Sequence, residues 1–281
     1  MHDDRDGALT SRKVPNERGW LDADPSAYVE YLETPLGRLR SELAWRNLEP
    51  HLPRAGAAPP RALDLGAGTG EMALRLAAAG FSVTLVDGSP RMLERAVNVA
   101  ASRGLSHRIA CRTLDLDGGG LASDLEDGAF DLVLCHDVLE YVTSPEAILR
   151  TARAALSADG RLSLVVRNRA GEVLKRLLRG EDADAALGLF ASRRAREDLY
   201  GLELRLLDPG EVRDLLRAAG LRVVAERGVR VVADHLPGRA SGGDEAFDRV
   251  LRLELRLGES PELLAIARYV QFIAAIAPSA G

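Results

Sequence analysis

The run Asp64-Leu65-Gly66-Ala67-Gly68-Thr69-Gly70 places three glycines within five positions, and an aspartate, Asp87, closes the next apolar stretch. Glycines at a strand-to-helix bend let the backbone approach a ligand with no Cβ in the way. A carboxylate at the end of the following strand can accept hydrogen bonds from both hydroxyls of a ribose. The dinucleotide fingerprint spaces its glycines G-x-G-x-x-G. Here the third glycine comes one residue early, and Glu71 stands in its place. The pattern D-x-G-x-G-x-G suits a nucleoside without a pyrophosphate to cradle, of which S-adenosylmethionine is the leading example. The candidate cofactor set is therefore Asp64, Gly66, Ala67, Gly68, Gly70, Asp87 and Gly88. Asp115, in "CRTLDLD", is placed to bond an adenine amino group, with Leu114 packing on the ring.

These residues need a scaffold, and the chain alternates strand-like with helix-like segments. Strands are expected at Arg61–Gly66, Ser82–Asp87, Ile109–Leu114, Phe130–His136, Arg161–Asn168, Leu221–Val232 and Ala267–Ile276. Helical periodicity covers Gly70–Ala79, Pro90–Arg103, Pro145–Leu156, Asp208–Ala219 and Asp244–Leu257. Such alternation predicts an α/β fold with a doubly wound, mostly parallel seven-stranded sheet. Residues 1–24 lack a hydrophobic period and read as a flexible tail, leaving 25–281 as one domain. Within it, residues 25–52 read as two short helices broken at Pro35. Residues 169–207 interrupt the rhythm and read as a helical cap or insertion.

Composition narrows the classes. Hydrophobic residues at 46% and charged residues at 28% over 281 residues describe a globular chain. No apolar run approaches the roughly 20 residues that a membrane-spanning helix needs, so no membrane partner is expected and cytoplasm is the default compartment. The polar, acidic N-terminus is unlike a signal peptide. The net charge of −5 lacks the overall basic footprint of nucleic-acid-binding domains. Lysine occurs only at 13 and 175, so positive charge is almost all arginine. Cys111 and Cys135 sit in apolar stretches, as buried free thiols do. No cluster of His, Asp and Glu suggests a metal.

With these motifs in place, the chain resembles the class I S-adenosylmethionine-dependent methyltransferases. Within them it is most similar to the group that methylates 5-carboxymethoxyuridine at the tRNA wobble position. The resemblance runs over about residues 30 to 278. Its narrower part rests on "LGRLRSELAWRNL", "LCHDVLEYV", "RGVRVVADHL" and "ARYVQFIA". It implies that Gly66 and Gly68 line the cofactor, Asp87 holds its ribose, Arg40 meets its methionine carboxylate, and His136 lies beside it. It also implies a carboxylate acceptor, already ionised at neutral pH, so that residues hold it instead of deprotonating it. Arg230 in "GVRV" is the candidate clamp, with His235 and Tyr200 behind it. An alcohol or phenol acceptor would need a base, and His136 is the obvious one. The N/D-P-P-Y element of amino-directed DNA methyltransferases is replaced by "HDVL". Relatives of this group carry a lysine-rich run where this chain has "ASRRARE". Arg193 and Arg194 are the candidate tRNA contacts there, although Glu197 and Asp198 follow closely. A small-molecule acceptor, methylated on oxygen, is the alternative that the acidic charge permits.

Overall fold

The computed structural model describes residues 24–53, 56, 58–118, 125, 129–236 and 243–278. The expected tail lies outside these residues but for Asp24. Two helices open the described chain, α1 (Pro25–Glu33) and α2 (Pro35–Leu48). Pro35 starts the second helix because its missing N–H costs nothing at a first helical position. Thr34 caps that helix, its hydroxyl accepting from Gly37 N at 3.0 Å.

Seven strands form one sheet: β1 (Arg61–Leu65), β2 (Ser82–Asp87), β3 (Ile109–Thr113), β4 (Phe130–His136), β5 (Leu156–Arg167), β8 (Leu221–Val229) and β9 (Tyr269–Ile276). A separate hairpin pairs β6 (Arg194–Arg196) with β7 (Glu203–Arg205). The sheet order is β3-β2-β1-β4-β5-β9-β8, parallel except for β9, which runs against both neighbours. Helices α3 (Glu71–Ala78) and α4 (Pro90–Ser102) cover one face, with Ala73, Leu76 and Leu93 meeting Leu132 and Leu134 of β4. Helices α5 (Pro145–Ala155) and α8 (Pro209–Ala218) cover the other, where Ile148, Leu149 and Leu216 meet Val133 and Cys135. The central strand thus sends alternate side chains to opposite cores, as the two-residue strand period requires.

The structure changes three expectations. Strand β5 begins at Leu156, five residues early, because a bulge between Phe130 and Leu132 lets β4 pair with both Leu156 and Arg161. Strand β8 stops at Val229, where Arg230 turns left-handed at φ +59° and a short 3₁₀ turn, Ala233–His235, follows. Residues 169–207 are not purely helical: α6 (Arg169–Leu178) and α7 (Ala183–Ser192) lead into the β6–β7 hairpin. The last helices are α9 (Asp244–Gly258) and the short α10 (Pro261–Leu264).

Two buried side chains fix the loops that reach the sheet's functional edge. Glu254 of α9 accepts from the backbone N–H groups of Val231, Val232 and Ala233 at 2.6, 2.9 and 2.6 Å, holding the turn after β8. Asn168, just past β5, donates to the carbonyls of Ala265 and Ala267 at 2.9 Å each, holding the approach to β9.

Candidate active site

Strands β1 and β4 are neighbours, but the chain leaves β1 toward β2 and leaves β4 toward β5. Ligands of open α/β sheets sit outside the carboxyl ends of the strands at such a switch point. A cavity of about 930 Å³ lies there. Ligand pockets commonly run from about 300 to 1,000 Å³, so it has room for two reactants.

One half of its floor is bare and acidic. Gly66, Ala67 and Gly68 follow β1, and Asp87 and Gly88 follow β2. Gly66 and Gly68 are left-handed, at φ +70° and +53°, a conformation costing a side-chain-bearing residue roughly 1–2 kcal/mol. Asp87 binds the bend to its strand: one carboxylate oxygen accepts from Gly68 N and the other from Ser89 N, both at 2.8 Å. Each oxygen keeps a lone pair for a ribose hydroxyl. Asp64, beneath the bend, is buried, and its carboxyl is pushed up to about 7 by burial first, then by Asp87 and Glu71.

The other half is cationic. Arg167 ends β5, Arg230 follows β8, and Arg268 precedes Tyr269 at the start of β9. All four line the cavity. The guanidinium carbons of Arg167, Arg230 and Arg268 lie 5.6, 5.6 and 5.5 Å from the Tyr269 ring centre. Burial raises the Tyr269 phenol, but Arg167, Arg268, Arg230 and Arg40 outweigh it and draw the group down to about 7.

His136 and Asp137 stand between the halves, at the end of β4. His136 Nε2 shares a 2.8 Å hydrogen bond with Ser163 Oγ, and burial, then Arg40, depress its imidazole to about 3. Asp137 is left-handed, at φ +54°, and pairs directly with Arg40 of α2. A second Arg40 nitrogen donates to the Tyr28 hydroxyl at 2.7 Å. Asp137 Oδ1 is buried with no hydrogen-bond partner among the described residues. A cationic group beside an unsatisfied carboxylate oxygen suits a ligand carrying both a carboxylate and an ammonium, as methionine does.

The other expected residues divide. Tyr200 and His235 line the cavity, although the Tyr200 hydroxyl donates to the Asp24 carbonyl at 2.9 Å. Gly70 does not line it. Gly70 is a packing glycine at φ +75°, and an added Cβ would sit 2.9 Å from Ala96 Cβ and 3.0 Å from Leu85 Cδ2. Leu114 and Asp115 do not line it either; Leu116 and Asp117 do. Leu114 packs on the core, and a turn from Asp115 O to Gly118 N at 2.9 Å carries the chain past the rim. Arg193 and Arg194 lie off the cavity. Both stay exposed, with Arg193 paired to Asp208 at 2.5 Å and Glu211 at 3.3 Å, and Arg194 to Glu203. Arg230 lines the wall, but Asp234 grips it from two sides, with Nε donating at 2.9 Å, and Nη1 donates to the Tyr31 hydroxyl at 3.1 Å. Its bidentate partner is already present.

Sequence reading missed Tyr28, Tyr31, Asp137, Arg167, Arg268 and Tyr269, all of which line the cavity. Asp137 and Arg167 could have been found, since both stand at the carboxyl ends of expected strands. Arg268 and Tyr269 begin a strand and reach this edge only because β9 is antiparallel. Among the described residues no group of three or more His, Cys, Asp or Glu could hold a metal, and no helix is long and apolar enough to cross a membrane.

A bare bend, a carboxylate after the second strand and a switch-point cavity define a nucleoside-binding enzyme of the Rossmann-like α/β class. Residues 28–226 match a family model described as a methyltransferase domain. The chain is 31% identical over 244 residues to the tRNA 5-carboxymethoxyuridine methyltransferase of Escherichia coli (strain K12), covering 86% of this chain and 89% of that one. It is 28% identical over 204 residues to a ubiquinone biosynthesis O-methyltransferase of Xanthomonas axonopodis pv. citri, covering 73% and 76%. A solved S-adenosylmethionine dependent methyltransferase from Mesorhizobium loti shares the fold, with TM-score 0.54 and 20% identity over 83% of this chain and 97% of that one. The chain belongs to the S-adenosylmethionine-dependent methyltransferases.

Proposed function

We propose that this methyltransferase esterifies the carboxylate of 5-carboxymethoxyuridine in tRNA. The observation that carries the reading is the division of the cavity: glycines and Asp87 on one half, Arg167, Arg230 and Arg268 on the other. Cofactor and acceptor then meet above His136. Gly66, Gly68, Asp87, Arg40 and Asp137 would hold the cofactor, with Arg40 toward its carboxylate and Asp137 toward its ammonium. When bound, S-adenosylmethionine supplies an electrophilic methyl group and leaves as a neutral thioether, so an ionised carboxylate oxygen takes the methyl with no proton to move. Positioning is then the protein's main task, and well-oriented reactants can gain roughly 7–11 kcal/mol from proximity alone.

His136, the base expected for a neutral acceptor, is poorly suited to that role. An alcohol needs a base, and a buried imidazole at about 3 that is bonded to Ser163 withdraws protons weakly at neutral pH. Methylation of a small metabolite on oxygen remains the second reading, favoured by the ubiquinone-pathway relative. Nucleoside analysis of tRNA from a strain lacking the gene separates the two. The wobble ester should vanish and its free acid accumulate. Unchanged wobble nucleosides would eliminate the tRNA reading.

A further inference from the structure

We infer that Arg167, and not Arg230, seats the acceptor carboxylate and makes the site select an anion. The inference rests on the carboxylate-acceptor reading and names the residue that enforces it.

Four guanidinium groups surround Tyr269, and three of them already lie against a carboxylate. Arg40 pairs with Asp137 and Arg230 with Asp234, while Arg268 packs against Glu172, although its Nε and Nη1 make no hydrogen bond among the described residues. Arg167 differs. Among the described residues the carboxylate oxygen nearest its guanidinium is Glu172 Oε2, 3.9 Å away, beyond hydrogen-bond distance. That same Glu172 is also held by Arg176 at 2.9 Å and approached by Lys175 at 3.9 Å, so its charge is shared among several cations. Arg167 therefore brings a rigid fork of donors to the cavity wall without a bidentate protein partner, the arrangement that suits a planar carboxylate.

Its position fits as well. Arg167 ends the strand next to β4, and Val165, two residues before it, pairs with His136, the residue between the cofactor half and the cationic half. Its side chain is largely enclosed, at 14% exposure, so a bond made there is little weakened by water. Its own backbone is fixed, since Arg167 N donates to Glu140 Oε1 at 2.5 Å. The low phenol of Tyr269 shows the field at this spot: several cations drive an ionisation that burial opposes. Arg230 belongs to the wall instead, because Asp234 neutralises it and the Glu254-bound turn immobilises it.

A consequence concerns turnover. Esterification removes the acceptor's charge, so Arg167 holds the substrate more tightly than the product. The experiment measures binding of two tRNAs to the full chain saturated with S-adenosylhomocysteine, which cannot donate a methyl group. One tRNA carries 5-carboxymethoxyuridine at the wobble position, and the other carries its methyl ester. The ratio of their dissociation constants cancels any general weakening of RNA binding or folding. A charge-assisted hydrogen bond to a carboxylate predicts a wild-type preference for the acid of about 10- to 100-fold. Arg167→Gln should bring that ratio near one, Arg167→Lys should restore part of it, and the paired replacement Arg230→Met with Asp234→Leu, which strands no buried charge, should retain it. A ratio kept by Arg167→Gln, or lost with the paired replacement alone, overturns the assignment while leaving the tRNA reading standing. A wild-type protein that neither prefers the acid nor esterifies it in the presence of S-adenosylmethionine removes both.

Discussion

Gly70 and Gly68 are two positions apart in the same bend, yet the structure assigns them different work. Both are left-handed, so alanine at either costs about 1–2 kcal/mol in backbone strain. At Gly70 the new Cβ also meets Ala96 Cβ at 2.9 Å and Leu85 Cδ2 at 3.0 Å, inside the core beneath α4. Overpacking of that kind adds about 1–3 kcal/mol. Gly70→Ala should thus lose about 2–5 kcal/mol, a large part of the roughly 5–15 kcal/mol that holds a domain folded. At Gly68 the nearest atom is Tyr28 Cε1, 3.9 Å away, so the Cβ enters the cavity and spares the core. Gly68→Ala should lose about 1–2 kcal/mol of stability. Its S-adenosylhomocysteine affinity should fall about tenfold or more, because the methyl group takes space a ligand would use. Urea unfolding gives the first quantity and calorimetric titration of the folded protein the second. The reasoning fails if Gly70→Ala unfolds no more readily than Gly68→Ala. It fails equally if Gly70→Ala is the variant that loses the ligand.

Arg230→Ala should be destabilised by about 3–5 kcal/mol, because it strands Asp234 as a buried, unpaired carboxylate. Replacing both, as Arg230→Met with Asp234→Leu, should recover most of that loss in a thermal melt; a stable Arg230→Ala that only binds acceptor poorly would restore Arg230 as the clamp. For His136 the folded imidazole titrates near 3 against 6.5 in the unfolded chain. Between those values the unfolded chain holds a proton that the native site refuses, so stability is lost as pH falls from 6.5 toward 3. His136→Gln should lessen that slope, and the His136 ring signals should stay flat in NMR between about pH 5 and 8; a midpoint near neutrality would readmit His136 as a base.

Most of the fold was written locally. Strand-like runs between helical ones marked the seven strands, helix starts fell at Pro25, Pro35, Pro90, Pro145 and Pro209, and the glycine bend lies on the floor of the cavity. These are short-range signals: a side-chain period, a residue without an N–H, a residue without a Cβ. Asp87 was legible for the same reason, as the last residue of a strand whose end faces the bend. Gly70 was misjudged because its constraint is Ala96 on another helix, and spacing cannot show a neighbour distant in sequence.

The cationic half of the cavity could not be read this way. Arg167, Arg230 and Arg268 are far apart in the chain and meet only because β9 inserts antiparallel between β5 and β8. Which arginine is committed and which is available depends on Asp137, Asp234 and Glu172, partners that tertiary packing alone supplies. The ion pairs that exposed Arg193 and Arg194 make with Asp208, Glu211 and Glu203 are likewise set by packing. Residue types and their periods therefore pointed to an adenosyl cofactor on a doubly wound sheet. Electrostatics acts through space, so only the folded arrangement decided which charged groups face one another across the cavity.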